Sequence, residues 1–394
     1  MPETLALDGG TPVRTAPFDL GKGMALLGDE EREAVDRVMR SRSLFRYYGP
    51  DLQGTVAAFE SAAAQALGAR HAVAVSSGTA ALRCAFAALG VGPGDEVVIP
   101  AFTFVATVNA VLACGATPVF AEVDDTLNMD PDDVPGRITD RTRAIVPVHL
   151  ENVVADMDRL LPACGDVPVV EDAAQAFGAT YHGRAAGTFG TFGCFSLQLE
   201  KNITAGEGGL VTSDDDALFT RAARYQDQGG QFATSYAAVR GEELDQPFAG
   251  ENLRMGELAG AVAGVQLTRL PAILDALRRN QRRVRAAVGE VEGLVPRRVP
   301  DPEGDGGSSL QWFLPEAALA KRFAAAVRAE GVPCAQMYRG RPVYEGAAVP
   351  PGDCPRTEAL VARSVIVPIG VRYSEQDCDD VAEAVRKVAG ALLG

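Results

Sequence analysis

Lysine is scarce in this 394-residue chain: of its 37 basic residues only Lys22, Lys201, Lys321 and Lys387 are lysines. Lys201 stands inside FSLQLEKNITAGEGG (residues 195–209), between a short apolar, strand-like run and a loop holding Gly206, Gly208 and Gly209. A lone lysine in such a place is suited to imine formation with an aldehyde or ketone, because burial or a cationic neighbour lowers the amine's pKa and makes it nucleophilic. Arginine cannot do this, since its guanidinium stays protonated. Pyridoxal phosphate is the common partner of a lysine in this chemistry, and its pyridine nitrogen needs a carboxylate. The stretch VPVVEDAAQAFGA supplies one: Val167 to Val170 read as a buried strand delivering Glu171 and Asp172 at its C-terminal end, where open α/β sheets bind ligands. A blander pairing, an exposed loop lysine with Asp172 as a helix N-cap, stays open on these residues alone.

An anionic cofactor also needs a phosphate site. His71–Val75 reads as a strand that runs into Ser76-Ser77-Gly78-Thr79 and then into a helix. Backbone N–H groups and hydroxyls at such a helix start point towards an anion, and the helix dipole favours it. The net charge of −15 makes this local arrangement necessary, and it speaks against nucleic acid or anionic membrane as partners.

The elements that would position these groups alternate. DEVVIP, TPVFAEV, TRAIVPVHL and VPVVED read as strands separated by helical stretches such as PAFTFVATVNAVLACG. That alternation implies a mainly parallel sheet covered on both faces. Successive strand ends then deliver Ser77 to Thr79, Phe102 to Phe104, His149, Asp172 and Gln175 to one crevice. Residues 1–25 form a Gly/Pro-rich arm expected to lie across another surface, 26–265 a large cofactor-binding domain, and 266–394 an Arg-rich linking helix with a small C-terminal α+β domain. The segment from Ala223 to Phe248 reads as a long surface loop, and the aromatics Phe45, Tyr47 and Tyr48 as a ligand wall, a subunit contact or packing for the arm.

Composition bounds the rest. The chain is 47% hydrophobic and 23% charged, as a globular protein is. No apolar run is long enough to span a bilayer and the N-terminus lacks a signal-peptide pattern, so a cytosolic protein is expected. Seven cysteines without CxxC spacing suggest small buried hydrophobes rather than disulfides or a metal site. A nicotinamide dehydrogenase would want GxGxxG after its first strand, and SSGTAAL does not supply it.

The ordered motifs SSGTAAL, PAFTFVAT, VEDAAQAFGA, FSLQLEKNITAGEGG and NLRMGELAGAV resemble, over nearly the whole chain, the DegT/DnrJ/EryC1/StrS family of fold type I pyridoxal-phosphate-dependent aminotransferases. The resemblance implies an α/β fold with a seven-stranded, mainly parallel sheet in an αβα sandwich, and a homodimer with shared active sites. It implies that Lys201 forms the internal aldimine and shuttles the proton, that Asp172 pairs with the pyridine nitrogen, and that Gln175 hydrogen-bonds the ring hydroxyl. Phe104 would stack on the ring; Ser77, Gly78, Thr79 and Ser196 would hold the phosphate, joined by Asn252 from the neighbouring subunit. Tyr47, His149, Arg339 and Arg341 are candidates for substrate contacts, and the donor carboxylate falls to an arginine, with Arg339, Arg341 and Arg372 all candidates, or to backbone donors at the crevice. Glutamine or glutamate is the implied donor, and a keto-cyclitol or keto-sugar of secondary metabolism the acceptor. The TAGEGG loop resembles the cyclitol-amine and amino-hydroxybenzoate branches more than the nucleotide-sugar branch, which more often shows GDGG or GDAG; the amino-hydroxybenzoate synthases end in dehydration and aromatisation. A lysine at 201 argues against the branch whose dehydratases carry histidine there. The residues ENVVADMD after His149 depart from the glycine and short polar residue of many relatives. A non-catalytic cofactor-binding regulator is the reading from another class.

Overall fold

Strand residues alternate their faces, and in this chain both faces are apolar. In the computed structural model, which describes residues 4–230, 248–345 and 352–394, β1 (His71–Val75) sends Ala72 and Ala74 into one core and Val73 and Val75 into another. Such two-sided burial requires helices above and below the sheet. On one side lie α2 (Thr55–Leu67) and the later helix α7 (Glu257–Val288), on which α1 (Asp29–Ser41) packs through Ala34 and Val38; on the other lie α3 (Gly78–Ala88), α4 (Val105–Ala113) and α6 (Asp216–Tyr225).

β2 (Glu96–Pro100) pairs in parallel with β3 (Thr117–Ala121) and β4 (Thr142–Ile145). Beyond a further short helix, α5 (Met157–Cys164), β5 (Val170–Asp172) pairs in parallel with β8 (Phe192–Ser196). Parallel bridges from Ile145 to Val169 and from Val148 to Asp172 join the two groups. The sheet order is therefore β1-β9-β8-β5-β4-β2-β3. β9 (Gly209–Ser213) is antiparallel to both β1 and β8. The cause is local, because the loop from Leu197 to Gly208 contains no helix, and a parallel return would need a crossover of that kind. A hairpin of β6 (Thr180–Tyr181) and β7 (Arg184–Ala185) sits between β5 and β8.

α7 runs without a break from Glu257 to Val288, with Pro271 inside it. Sequence reading divides this stretch into two helices and places a domain boundary at 265/266; the structure carries one helix through that point. Its first half packs on α2, where an added Cβ at Gly260 would lie 2.7 Å from the Val56 nitrogen. Its second half packs on α10 (Glu375–Leu392). There β10 (Val295–Pro296), β11 (Ser309–Phe313) and β12 (Ser364–Pro368) form an antiparallel sheet beside α8 (Ala317–Ala329) and the short α9 (Pro355–Val361).

The N-terminal arm does lie across another surface, and the partners are specific. The backbone N–H groups of Ala6 and Val13 donate to the Glu330 carboxylate, and Lys387 pairs with the same group. Arg14 bridges Asp377 and Asp380 at the start of α10. The arm then turns back over the large sheet, where the N–H of Gly23 donates to the Lys201 carbonyl at 3.3 Å. Most of the loop expected between Ala223 and Phe248 lies outside the described residues. Six of the seven cysteines are buried, Cys114 is half-buried, and none is paired.

Candidate active site

Lys201 occupies the turn after β8, its N–H donating to the Gln198 carbonyl at 3.0 Å. The next residue anchors that turn. Asn202 is buried and donates to the Asn152 side chain at 2.6 Å and to the Phe177 carbonyl at 2.9 Å, while Asn152 donates back at 3.3 Å. Burial lowers the Lys201 pKa below the ordinary value of 10.5, and the charge of Lys22 adds to this; Glu151, Asp172 and Glu200 oppose it. An amine held this way spends more of its time neutral, as a nucleophile must.

Asp172 ends β5 rather than following it, since strand pairing with β8 extends through this residue. It is buried, and its Oδ2 accepts from the Thr107 hydroxyl at 2.8 Å while Oδ1 accepts from the Ala174 N–H at 3.1 Å. Thr107 is linked in turn to Thr103 at 2.9 Å. The carboxylate thus has two neutral donors. Burial raises its pKa; those hydrogen bonds and the charges of Lys201 and His149 pull it back. Asp172 does not cap a helix; its bond to Ala174 closes a local turn.

Gln175 faces the same space. Its Oε1 accepts from the Glu151 N–H at 3.2 Å and its Nε2 donates to the Tyr338 hydroxyl at 3.1 Å, leaving one amide N–H for another partner. Tyr338 and Arg339 both hold left-handed backbone (φ 48° and 62°), and so do Glu151 and Asn152 (φ 52° and 65°). Such conformations in non-glycine residues cost energy and concentrate at functional sites. The Tyr338 ring lies 5.3 Å from that of Phe102 and 6.3 Å from that of Phe104. Phe104 itself is 53% exposed at the start of α4, so its ring face is open.

The start of α3 has the shape of an anion cradle. Ser77 caps the helix, accepting from the Ala80 N–H at 3.0 Å. Gly78 lies so close to Ser196 that a Cβ there would approach the serine Cβ at 2.9 Å; a Cβ at Gly209 would fall 2.3 Å from the Ser77 carbonyl oxygen. Asn252 is exposed, on a segment whose neighbours Leu253 and Arg254 pair with Ser76 and Val75 of the same chain.

Two expected wall residues are placed elsewhere. His149 is fully buried; its Nδ1 accepts from the Ala155 N–H at 3.2 Å, which fixes a proton on Nε2 that goes to Glu171 at 2.8 Å. Glu171 also accepts from the N–H groups of Gly187 and Gly190. Both ring nitrogens being used, His149 has none to offer a substrate, and it supports Asp172 from behind through its own backbone N–H. Tyr47 is buried in the core around α3, with its hydroxyl accepting from Gln226 at 2.8 Å, and burial pushes its pKa up to about 12. The exposed aromatic of that stretch is Tyr48. Arg339 is exposed, and Arg341 lies 3.7 Å from Glu345. Neither lines the cleft of about 660 Å³ that Lys201 opens into, which is walled by Phe18 to Lys22 of the arm, Glu151, Gln175 and the edge of the small sheet at Ile366 and Pro368. Thr107, Glu151, Tyr338 and Lys22 are site residues that sequence reading does not single out. For Thr107 a signal exists, since it lies four residues after Thr103 within PAFTFVAT.

This arrangement, a half-buried lysine and a buried carboxylate at strand ends with a helix-start cradle, belongs to fold type I pyridoxal-phosphate-dependent enzymes, and solved structures agree. DesI, solved in the presence of its TDP-sugar product, superposes with a TM-score of 0.84 at 30% identity, covering 98% of this chain and 96% of its own. 3-Amino-5-hydroxybenzoic acid synthase superposes at 0.81 and 28% identity, covering 97% of this chain and 100% of its own. The chain belongs to the DegT/DnrJ/EryC1/StrS aminotransferase family, whose pattern matches residues 26–386. Among curated relatives, GDP-perosamine synthase of Caulobacter vibrioides is 40% identical over 56% of this chain and 58% of that protein. The L-glutamine:2-deoxy-scyllo-inosose aminotransferase of Micromonospora echinospora is 39% identical over 74% of this chain and 68% of that protein.

The residues present fit the family's cofactor. A buried carboxylate with only neutral donors suits a protonated ring nitrogen, whose charge offsets the desolvation of Asp172. Close backbone packing at Gly78 and Gly209 keeps the cradle free of side chains that would fill it. Among the described residues no group of three His, Cys, Asp or Glu side chains is arranged to hold a metal ion, and no helix is long and apolar enough to cross a membrane.

Proposed function

We propose that this protein moves an amino group from glutamine or glutamate to the ketone carbon of a keto-cyclitol or keto-sugar, acting as a homodimer. The observation that carries the reading is the cleft in which Lys201, Gln175 and Glu151 meet beside the buried Asp172. The relation to an enzyme named for L-glutamine and a scyllo-inosose supports the donor and the cyclitol. DesI, named with its TDP-sugar product, supports a keto-sugar.

Pyridoxal phosphate supplies an aldehyde on which amines exchange and a ring that takes up an electron pair. The protein does the rest. Ser77, Gly78, Thr79 and Ser196 would hold the phosphate, Phe104 would cover one ring face, and Gln175 would orient the ring through its free amide N–H. Asp172 would keep a proton on the ring nitrogen, because a carboxylate stripped of water gains most from a cation beside it. The Nζ of Lys201 would be the base that takes a proton from the donor's α-carbon and holds it for return, and with the keto acceptor the same amine would give the proton back.

The test is spectroscopic. Adding glutamine or glutamate to the holoenzyme should convert the visible cofactor band near about 420 nm to one near about 330 nm, and a keto-cyclitol or keto-sugar should restore it. A visible band that neither donor alters would sink transamination from these amino acids while leaving the cofactor in place. The similarity to 3-amino-5-hydroxybenzoic acid synthase favours one second reading, loss of water with aromatisation on the same site. Product mass separates the two, since transamination retains every ring hydroxyl.

A further inference from the structure

An amino-acid donor brings a carboxylate into a cleft that already holds Asp19, Glu151 and Glu200. In a chain of net charge −15 that carboxylate needs a local cation. The arginines considered from sequence are engaged or lie elsewhere: Arg372 is 3.8 Å from Asp19, Arg341 is 3.7 Å from Glu345, and Arg339 lies outside the cleft lining. Arg328 lines the cleft but donates to the Cys334 carbonyl at 2.6 Å.

Lys22 remains. It lines the same cleft as Lys201, on the part of the arm that crosses the Lys201 turn, and among the described residues its amine has no ion pair. Its place is fixed by the next residue. Gly23 donates to the Lys201 carbonyl, and a Cβ at Gly23 would lie 2.7 Å from the Asn202 carbonyl oxygen and 2.5 Å from the Gln266 side chain. Only glycine lets the arm press this closely on the loop, so Lys22 and Lys201 are held as neighbours rather than meeting by chance. The charge of Lys22 is felt at Lys201, consistent with that spacing.

We propose that Lys22 binds the α-carboxylate of the amino donor and so orients the donor's amine towards Lys201, which lines the same cleft. This rests on the transamination reading above. It makes the N-terminal arm part of the donor site. An ammonium suits the task, because it is a compact charge whose three donors can follow the carboxylate as the amine exchanges.

The probe is 4-carbamoylbutanoate, which is glutamine without its α-amine and therefore cannot react. Calorimetric titration of the holoenzyme should show it binding about 10- to 100-fold more weakly to Lys22→Met than to wild type, the size of a lost charge-assisted hydrogen bond. Lys22→Arg should retain most of the affinity, and the visible band should be unchanged in both variants. The glutamine concentration that half-saturates bleaching of the band should rise with Lys22→Met, whereas glutaminol, which lacks the carboxylate, should be affected little. Unchanged affinity in Lys22→Met would overturn the proposal, as would equal losses in both variants, equal losses for glutamine and glutaminol, or disappearance of the band. If wild type is bleached by neither glutamine nor glutamate, the transamination reading itself falls and this inference falls with it. If bleaching occurs but Lys22→Met matches wild type, only Lys22 is dismissed.

Discussion

Lys201 and Asp172 face opposite electrostatic demands at one site: burial pushes the lysine towards its neutral form and the aspartate towards its protonated form. A cationic ring nitrogen resolves the second demand and a neutral nucleophile uses the first. Lys201→Ala is therefore expected to give a folded protein with no visible cofactor band and no turnover; steady-state activity near the wild-type rate would end the assignment. The pH dependence has a definite sign. Because the Lys201 pKa lies below 10.5, capture of added pyridoxal phosphate by apoprotein should slow as pH falls through that lowered value, when the amine protonates. Stopped-flow rates between neutral and alkaline pH would show the midpoint, and a midpoint at or above 10.5 would contradict the burial argument. Asp172→Asn should keep the cofactor but lose about 10²- to 10³-fold in rate, the scale of removing one preorganised electrostatic partner. Thr107→Val should be milder, costing on the order of 1–3 kcal/mol by leaving Asp172 Oδ2 unpaired. Lys201, Asp172 and Gln175 can be picked out as candidates in the sequence because each ends or follows an apolar strand. Tyr338 and Lys22 cannot, since nothing local distinguishes them and only the chain's path brings Tyr338 to Gln175 and Lys22 to the cleft.

At the scale of elements, the site depends on how closely two backbone segments approach. The first turn of α3 rests against the start of β9, with the Ser77 carbonyl where a Gly209 Cβ would stand. Gly209→Ala must therefore displace the turn, because backbone cannot rotate away as a flexible side chain can. Retention of the cofactor on dialysis should weaken by at least about tenfold, equivalent to about 1.4 kcal/mol, with helix content by circular dichroism unchanged. Wild-type retention would show that the cradle tolerates the shift. The βα alternation was readable because parallel strands buried on both faces are continuous apolar runs, as in DEVVIP. The direction of the antiparallel β9 is not readable: GLVTS follows a glycine-rich loop, and strand direction is set by the length and content of a connection rather than by the strand's own residues. α7 continues through Pro271, inside its length. Burial of Ile273, Leu274 and Leu277 against the core outweighs the missing backbone hydrogen bond.

At the scale of the whole molecule, two exposed apolar residues of the arm, Leu20 and Met24, line the cleft, and further exposed apolar residues include Leu27, Leu44, Tyr48, Phe104 and Val105. Exposed apolar surface of this kind suits a second copy of the chain, and a homodimer would have twice the 41.3 kDa mass of one chain. Whether the active sites are shared turns on Asn252. Family resemblance assigns it to the neighbour's phosphate, whereas the fold sets its segment against Val75 and Ser76 of its own chain, with the side chain exposed. Mixed dimers decide between these. Lys201→Ala and Asn252→Asp would each be inactive or nearly so alone. If Asn252 serves the partner's site, a heterodimer of the two variants contains one doubly altered site and one intact site, and mixing should restore activity to as much as half the wild-type value per heterodimer. If Asn252 serves its own chain, both sites carry a lesion and mixing restores nothing, which would place the asparagine at the cradle formed by its own Ser77 and Gly78. A monomeric mass by light scattering would remove the premise of both outcomes and leave the exposed apolar residues without their proposed partner.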